Sequence, residues 1–380
     1  MVRKAFQYRI YPTKKQARVL EHQLDECRWL WNHCVGERKT QYEATKTSPR
    51  LHDQINSIPN LKESRLSLKI VNAQVLQNVA VRVDLAYQAF FRRCKNGETP
   101  GYPRFRGKFR YDSMTFPQLP STCEIRDGFL RVSKVGSVKV VLHRKMEGKP
   151  KTCTIKRTST GKWFASFSCE VERPEPLPYS DEQVGIDVGL TTFATFSNGE
   201  KIKRQRFFKA DEKELAKVQR KFSKETKGTP ERRKRRIPIA RVHERIANRR
   251  KDFVFKTAKK VIDRYGFIAV EDLEVNRMVE NGKYSKSIND VAWSMFFTLL
   301  FVKAECAGRT IVRVNPAYTT QTCSGCGHRQ KLTIDVRTYK CPHCSLVLNR
   351  DHNAALNILK IGLGLQTVGT GNGNPRSPSL

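Results

Sequence analysis

Four cysteines in the pattern C-x2-C-x14-C-x2-C, namely Cys323, Cys326, Cys341 and Cys344, constrain the fold of this chain more than any other feature. Each C-x-x-C pair can present two thiolates to one side of a tetrahedral Zn2+, at Zn–S distances of about 2.3 Å. A module this small buries little apolar surface, so a metal would supply its folding energy. Gly327, directly after Cys326, permits the tight knuckle turn. A redox dithiol and an iron–sulfur cluster are the competing readings of the same pairs. His328 and His343 lie beside the ligands and read as bystanders. The other seven cysteines (Cys27, Cys34, Cys94, Cys123, Cys153, Cys169, Cys306) are scattered through apolar or mixed sequence and read as small hydrophobes. Met1–Ile10 lacks the apolar core of a secretory signal. A reducing compartment and no disulfides are therefore expected.

Charge is the second constraint. The 380 residues carry 72 Lys and Arg against 36 Asp and Glu, a formal net charge of +36. A field of that size repels itself unless a polyanion shares the surface. Residues 201–260 alone hold 24 basic against 7 acidic residues, including the run Arg232, Arg233, Lys234, Arg235, Arg236. Such a run is often only a solvated face; a net +17 on one segment instead points to a nucleic-acid groove. The basic residues are spread along the whole chain, which suits nucleic acid better than a membrane surface. No apolar run approaches the length of a membrane span.

The pattern along the chain divides it. Residues 3–11 alternate as a strand with Phe6, Tyr8 and Ile10 on one face. Pro12 and Thr13 then open a helix carrying Ala17, Leu20, Leu24, Cys27, Trp31 and Cys34. Residues 46–63, polar and with two prolines, read as a loop, and a second helix runs from about Ser64 to Arg93. Residues 97–117 interleave Tyr102, Phe105, Phe109, Tyr111 and Phe116 with Arg104, Arg106, Lys108 and Arg110. Rings beside cations suit base stacking and phosphate pairing; aromatics that pin a loop to a core are the alternative. Four alternating stretches over 124–173 join the first strand in a small antiparallel barrel or sheet. A proline-rich linker, 174–183, marks a boundary. From Val184 the pattern becomes α/β: three strands in hairpin order, a basic helical region over about 207–265, a strand at 266–273, a helix at 291–306, a strand at 309–316, the cysteine module, and a helix at 351–363. The tail from Gly364 is Gly, Asn, Pro and Ser rich and reads as disordered.

Three acids stand at element ends: Asp187 in an apolar strand, Glu271 closing another, and Asp351 opening the last helix. Converging at one sheet edge, they would hold two Mg2+ or Mn2+ ions, about 3.5–4 Å apart, for phosphodiester cleavage. Each has an ordinary reading as well. A D-x-G strand also serves actin-like ATPases, Asp272 rivals Glu271, and Asp351 can simply cap its helix.

The whole constellation resembles the TnpB (OrfB) family, relatives of type V CRISPR nucleases. The matching pieces are K-A-F-Q-Y-R-I-Y-P-T near the start, G-Y-P-R-F at 101–105, G-I-D-V-G-L at 185–190, V-E-D-L at 270–273, N-P-A-Y-T-T-Q-T-C-S-G-C-G at 315–327 and N-R-D-H-N-A-A-L-N-I-L at 349–359. The resemblance implies an α+β multidomain fold. A wedge β-barrel (1–12 plus 113–175) would carry an inserted helical recognition region (13–112). A RuvC-like, RNase H-type nuclease (180–316 plus 345–363) would enclose a zinc ribbon (317–348), and a tail (364–380) would follow. It implies Asp187, Glu271 and Asp351 as catalytic metal ligands, and Cys323, Cys326, Cys341 and Cys344 as zinc ligands. It also implies a guide RNA made from the transposon end, a double-stranded DNA target and a bacterial cytoplasmic setting, at the nucleoid when bound to DNA. Asn72, Gln74, Gln77 and Asn78, with Thr115, are then placed to read the target-flanking motif, since amides contact adenine in the major groove. Arg104, Arg106, Lys108, Arg232, Arg233 and Arg235 are the expected backbone contacts. A silent DNA-binding regulator is the rival reading; it predicts loss of at least one acid, and all three are present.

Overall fold

The computed structural model describes residues 1–108, 110–274, 278, 290–333 and 335–369, with side chains through 365. The chain forms two compact units, Met1–Arg173 and Pro174–Leu380. Phe109 and residues 370–380 of the expected tail lie outside the described residues.

The first unit is built on a seven-stranded sheet. Its strands are β1 (Val2–Tyr11), β2 (Ser113–Phe116), β3 (Cys123–Arg126), β4 (Phe129–Val132), β5 (Gly136–Val141), β6 (Lys149–Arg157) and β7 (Trp163–Val171). They are ordered β2-β6-β7-β1-β5-β4-β3, every pairing antiparallel, as a nearly closed β-barrel. The period-2 reading holds. Phe6, Tyr8 and Ile10 are fully buried, and Trp163, Ala165, Phe167, Cys169 and Val171 of β7 turn inward beside them.

Between β1 and β2 run α1 (Lys14–Thr45), α2 (Leu51–Ser64), a 3-10 turn (Leu66–Ile70) and α3 (Ala73–Lys95). A capping box starts α1: Gln16 N–H donates to the Thr13 hydroxyl (3.3 Å) and Thr13 N–H to the Gln16 amide oxygen (3.0 Å). Leu20, Leu24, Cys27, Trp31 and Cys34 form its buried face as expected, while Ala17 is only half-buried.

Two expectations fail here. Residues 46–63 are not a loop, because α2 occupies Leu51–Ser64 with Pro59 inside it. Packing outweighs the hydrogen bond that the proline forgoes. Ile58 and Gln54 are buried, and the Gln54 amide donates to the Cys34 carbonyl (3.0 Å) and the Glu37 carboxylate (2.8 Å). The second long helix does not start near Ser64 either. Asn72 caps α3, its side chain accepting from Gln74 N–H at 3.0 Å, so the helix begins at Ala73.

The second unit holds a five-stranded sheet of β8 (Gln183–Val188), β9 (Thr192–Phe196), β10 (Lys201–Lys203), β11 (Phe267–Glu271) and β12 (Thr310–Val314), ordered β10-β9-β8-β11-β12. β8, β11 and β12 are parallel, while β9 and β10 return antiparallel. Two basic helices, α4 (Phe207–Ser223) and α5 (Pro230–Arg264), precede β11, and α6 (Trp293–Ala307) links it to β12. α5 and α6 cover one face of the sheet through Val254, Ala258, Val261, Phe296 and Leu300. The final helix, α7 (Arg350–Gly369), covers the other through Ile358 against Phe267, Ala269 and Val314. It runs past Gly364, where the tail was expected to begin. The cysteine module carries a small hairpin, β13 (Thr338–Lys340) with β14 (Val347–Asn349). No helix among the described residues is long and apolar enough to cross a membrane.

Candidate metal centres

The four module thiols meet. All their Sγ atoms lie within 4.8 Å of one another, with Cys323–Cys344 and Cys326–Cys341 each at 3.6 Å. A tetrahedron with Zn–S near 2.3 Å has edges of about 3.8 Å, so the set fits zinc. Local backbone builds the cage. Gly327 adopts φ +80°, its N–H donating to the Cys323 carbonyl (2.9 Å), while Cys323 N–H returns to the His328 carbonyl (2.9 Å). Burial opposes ionisation of Cys341, but the backbone N–H groups of Cys344 and His343 outweigh it and hold the thiol at about 6. Cys341 thus favours the thiolate at neutral pH, whereas at Cys344 the Leu346 N–H is outweighed by hydrogen bonds from the neighbouring thiols, which push it up to about 12, so Cys344 would release its proton only on binding the metal. His328 and His343 stack on each other at 5.8 Å and stand outside this sulfur set.

The acids come together at the other centre. Ile186 and Val270 are partners in the parallel β8–β11 register, so Asp187 and Glu271 follow side by side at the carboxyl ends of the two strands. Such ends of parallel strands are the usual ligand edge of an α/β sheet. Asp351 arrives on the first turn of α7. A Cβ on Gly185 would lie 2.1 Å from the Ala355 carbonyl, and one on Gly362 would lie 2.6 Å from the Ala269 Cβ. These two glycines let α7 lie directly on β8 and β11, running from their carboxyl toward their amino ends. At its start, Asn349 accepts from His352 N–H (3.3 Å), and the His352 ring meets the Ser197 carbonyl (3.0 Å).

Burial, then the charges of Glu271 and Asp351, push the Asp187 carboxyl well above its ordinary value, with Arg350 opposing. Burial also pushes Glu271 up, and the Thr319 hydroxyl pulls it partway back. Uncompensated acids of this kind suit a divalent cation with oxygen preference. Among the described residues the carboxylates do not form as tight a set as the four thiols. Asp272, the rival acid, turns to Arg313 (3.1 Å) and stays exposed on the strand's far side.

The sequence pointed to nucleic-acid contacts whose side chains largely hold the protein together. Asn72 caps α3 and donates to Ser133 (3.1 Å). Gln74 pairs with Gln118. Thr115 shares its hydroxyl with Thr154 (2.8 Å) and takes a bond from Arg82. Gln77 is exposed and Asn78 half-buried. Trp31 donates to the Arg104 carbonyl (3.1 Å), and the Arg106 guanidinium lies 4.3 Å over the Trp31 ring. Tyr111 and Phe116 are buried and Tyr102 bonds to Tyr87 (3.1 Å), so these aromatics pin the loop; Phe105 remains exposed. Lys108 is exposed on the same loop. Arg232 stacks 4.1 Å over Phe222 and donates to the Phe222 carbonyl (3.3 Å), tying the α4–α5 turn. Arg233 donates to Gly228 (3.4 Å) and Arg235 to Glu225 (3.2 Å).

Comparison with known proteins agrees with this anatomy. A family model described as "Probable transposase" matches residues 166–282, and one described as "Cas12f1-like, TNB domain" matches 293–358. A "Putative RNA-guided DNA endonuclease" of Streptomyces pristinaespiralis is 32% identical, covering 97% of this chain and 92% of that relative. The "Putative RNA-guided DNA endonuclease InsQ" of Escherichia coli K12 is 28% identical over 96% of this chain and 94% of its own length. The Cas12f1 chain solved as a complex with sgRNA and target DNA superposes with a TM-score of 0.59 at 16% identity, covering 91% of this chain and 83% of that one. That likeness bears on the fold, a Cas12-like multidomain α+β arrangement. The chain belongs to the TnpB (OrfB) family.

Proposed function

We propose that this chain is an RNA-guided DNA endonuclease of a transposable element, hydrolysing DNA phosphodiesters beside a short target-flanking motif. The observation that carries the reading is the acidic edge, where Asp187 and Glu271 end neighbouring parallel strands and Asp351 bears on Asp187 from α7. Asp187, Glu271 and Asp351 are the residues that would hold two Mg2+ (or Mn2+) ions. Bound there, such ions supply an activated water and charge neutralisation at the leaving oxygen. The β10-β9-β8-β11-β12 order supports a RuvC-like, RNase H-type core over 180–316 and 345–363, with the zinc ribbon (317–348) set before its last acid. The barrel (1–12 plus 113–175) and helices (13–112) then hold the transposon-derived guide RNA and the target duplex. The net charge of +36 suits a long RNA and a heteroduplex. A regulator that only occupied DNA would have no need of the three acids, and nothing in the site favours it.

The test is to purify the full chain, sequence the RNA that accompanies it, and offer a duplex matched to that RNA. Cleavage of the matched duplex in Mg2+, arrested by EDTA and absent from a mismatched one, is expected. Protein that carries no discrete RNA, or that cuts matched and mismatched duplexes alike, refutes the reading.

A further inference from the structure

Beneath the cysteine module lies a buried polar ladder that neither centre uses as ligand. Thr319 is 2% exposed, Asn353 0% and Asn357 5%. The Thr319 hydroxyl donates to Glu271 Oε1 at 2.6 Å; its other acceptor, the Pro316 carbonyl, is at 3.2 Å. Asn357 spends both amide hydrogens on the same segment, at the Thr319 carbonyl (2.9 Å) and the Thr322 carbonyl (2.7 Å). Asn353 donates to the Thr322 carbonyl (2.7 Å) and accepts from Ser324 N–H (2.9 Å). Lys360 donates to the Ser324 carbonyl (3.2 Å). Asn353, Asn357 and Lys360 recur at four- and three-residue steps, hence on one face of α7. That helix also carries Asp351.

Cys323 follows Thr322 directly, so the backbone gripped by the two asparagines is the first zinc knuckle itself. Two buried amides bonded to a carbonyl row hold it in place only while that row keeps its shape. The row keeps its shape through the thiol cage. At the other end of the segment, a single hydroxyl sets where one Glu271 oxygen points.

From this we infer that Thr319 is a positioning residue for Glu271, and that Asn353 and Asn357 make the order of the zinc ribbon a condition for divalent-cation binding at the acidic edge. The inference rests on the reading of Asp187, Glu271 and Asp351 as metal ligands. Partners that orient a ligand in this way commonly set metal affinity by about 10–100-fold.

The experiment is Mn2+ binding to the full chain with its RNA, followed by the electron paramagnetic resonance of free Mn2+, beside cleavage of the matched duplex. Thr319→Val keeps the shape and removes the hydroxyl; Thr319→Ser restores it. The expected result is Mn2+ binding weakened about 10–100-fold in Thr319→Val, near wild type in Thr319→Ser, with zinc content unchanged in both. Asn357→Ala should weaken Mn2+ binding in the same direction while keeping its zinc. Equal Mn2+ affinity in wild type and Thr319→Val overturns the inference, as does equal weakening by Thr319→Ser. A wild type that binds Mn2+ yet cuts nothing sinks the nuclease reading alone, and the positioning claim is still decided by the binding series.

Discussion

The Ala355 carbonyl occupies the space that a side chain on Gly185 would need, 2.1 Å from the ideal Cβ position. Two residues further along β8 stands Asp187, and four residues back along α7 stands Asp351. This contact therefore sets how near the last helix brings its acid to the sheet edge. Gly185→Ala must lift α7 or bend β8, because the obstructing atoms are backbone. The variant should lose at least about 1–3 kcal/mol of stability, measured by chemical unfolding, and should cleave more slowly in proportion to the misplacement of Asp351. Wild-type stability and rate would show that the close approach is not needed.

Asp187 carries a stability cost that follows from its surroundings. Its folded pKa is raised by burial and by two acidic neighbours, so the ionised carboxylate weakens the metal-free fold. The cost is absent below the ordinary value of 3.8 and grows as pH rises toward the folded one. In EDTA at pH 7–8, Asp187→Asn should therefore be more stable than wild type, by about 1–3 kcal/mol. The difference should shrink as pH is lowered toward 4. Thermal unfolding across that range checks it; a difference that grows on acidification contradicts it.

The thiol cage predicts one zinc per chain, measurable by atomic absorption after exhaustive dialysis. Cys341→Ser should lose the metal and order in the ribbon, and should lower the thermal midpoint, because the buried amides of Asn353 and Asn357 lose their partners. Visible absorbance of an iron–sulfur centre in place of zinc would refute the assignment.

Asn72 and Gln77 separate architecture from recognition. Asn72→Ala removes the α3 cap and should cost about 1 kcal/mol of stability. Gln77 is exposed, so Gln77→Ala should leave stability unchanged and alter only the choice of target-flanking sequence. Targets flanked by randomised bases provide the readout. An unchanged flanking preference in Gln77→Ala would remove that residue from the recognition surface.

These contrasts show where a linear reading succeeds. Strong patterns survive folding, so β1 was legible from alternation, the buried face of α1 from helical spacing, and β8 and β11 from short continuous apolar runs. The thiol cage was legible because its ligand spacing is local. Pro59 misled, since its cost is local while what offsets it is distant in sequence: the Gln54 amide bonded to the Cys34 carbonyl of α1, and Ile58 buried in the core. Arg232 looked like a groove residue, yet its ring stacking and carbonyl bonds close a helical hairpin. Thr319, Asn353 and Asn357 went unnoticed because their partners are backbone carbonyls and one distant carboxylate. The only trace was polar residues at four-residue spacing inside an apolar helix.

The central claim is that three carboxylates, distant in the chain, act as one cation site. Its most direct test is single-turnover cleavage of a guide-matched duplex by wild type and Asp187→Ala at saturating Mg2+, with equal duplex binding verified beforehand. The account predicts that Asp187→Ala binds the duplex as wild type does and leaves it uncut; cleavage by that variant at the wild-type rate would contradict it.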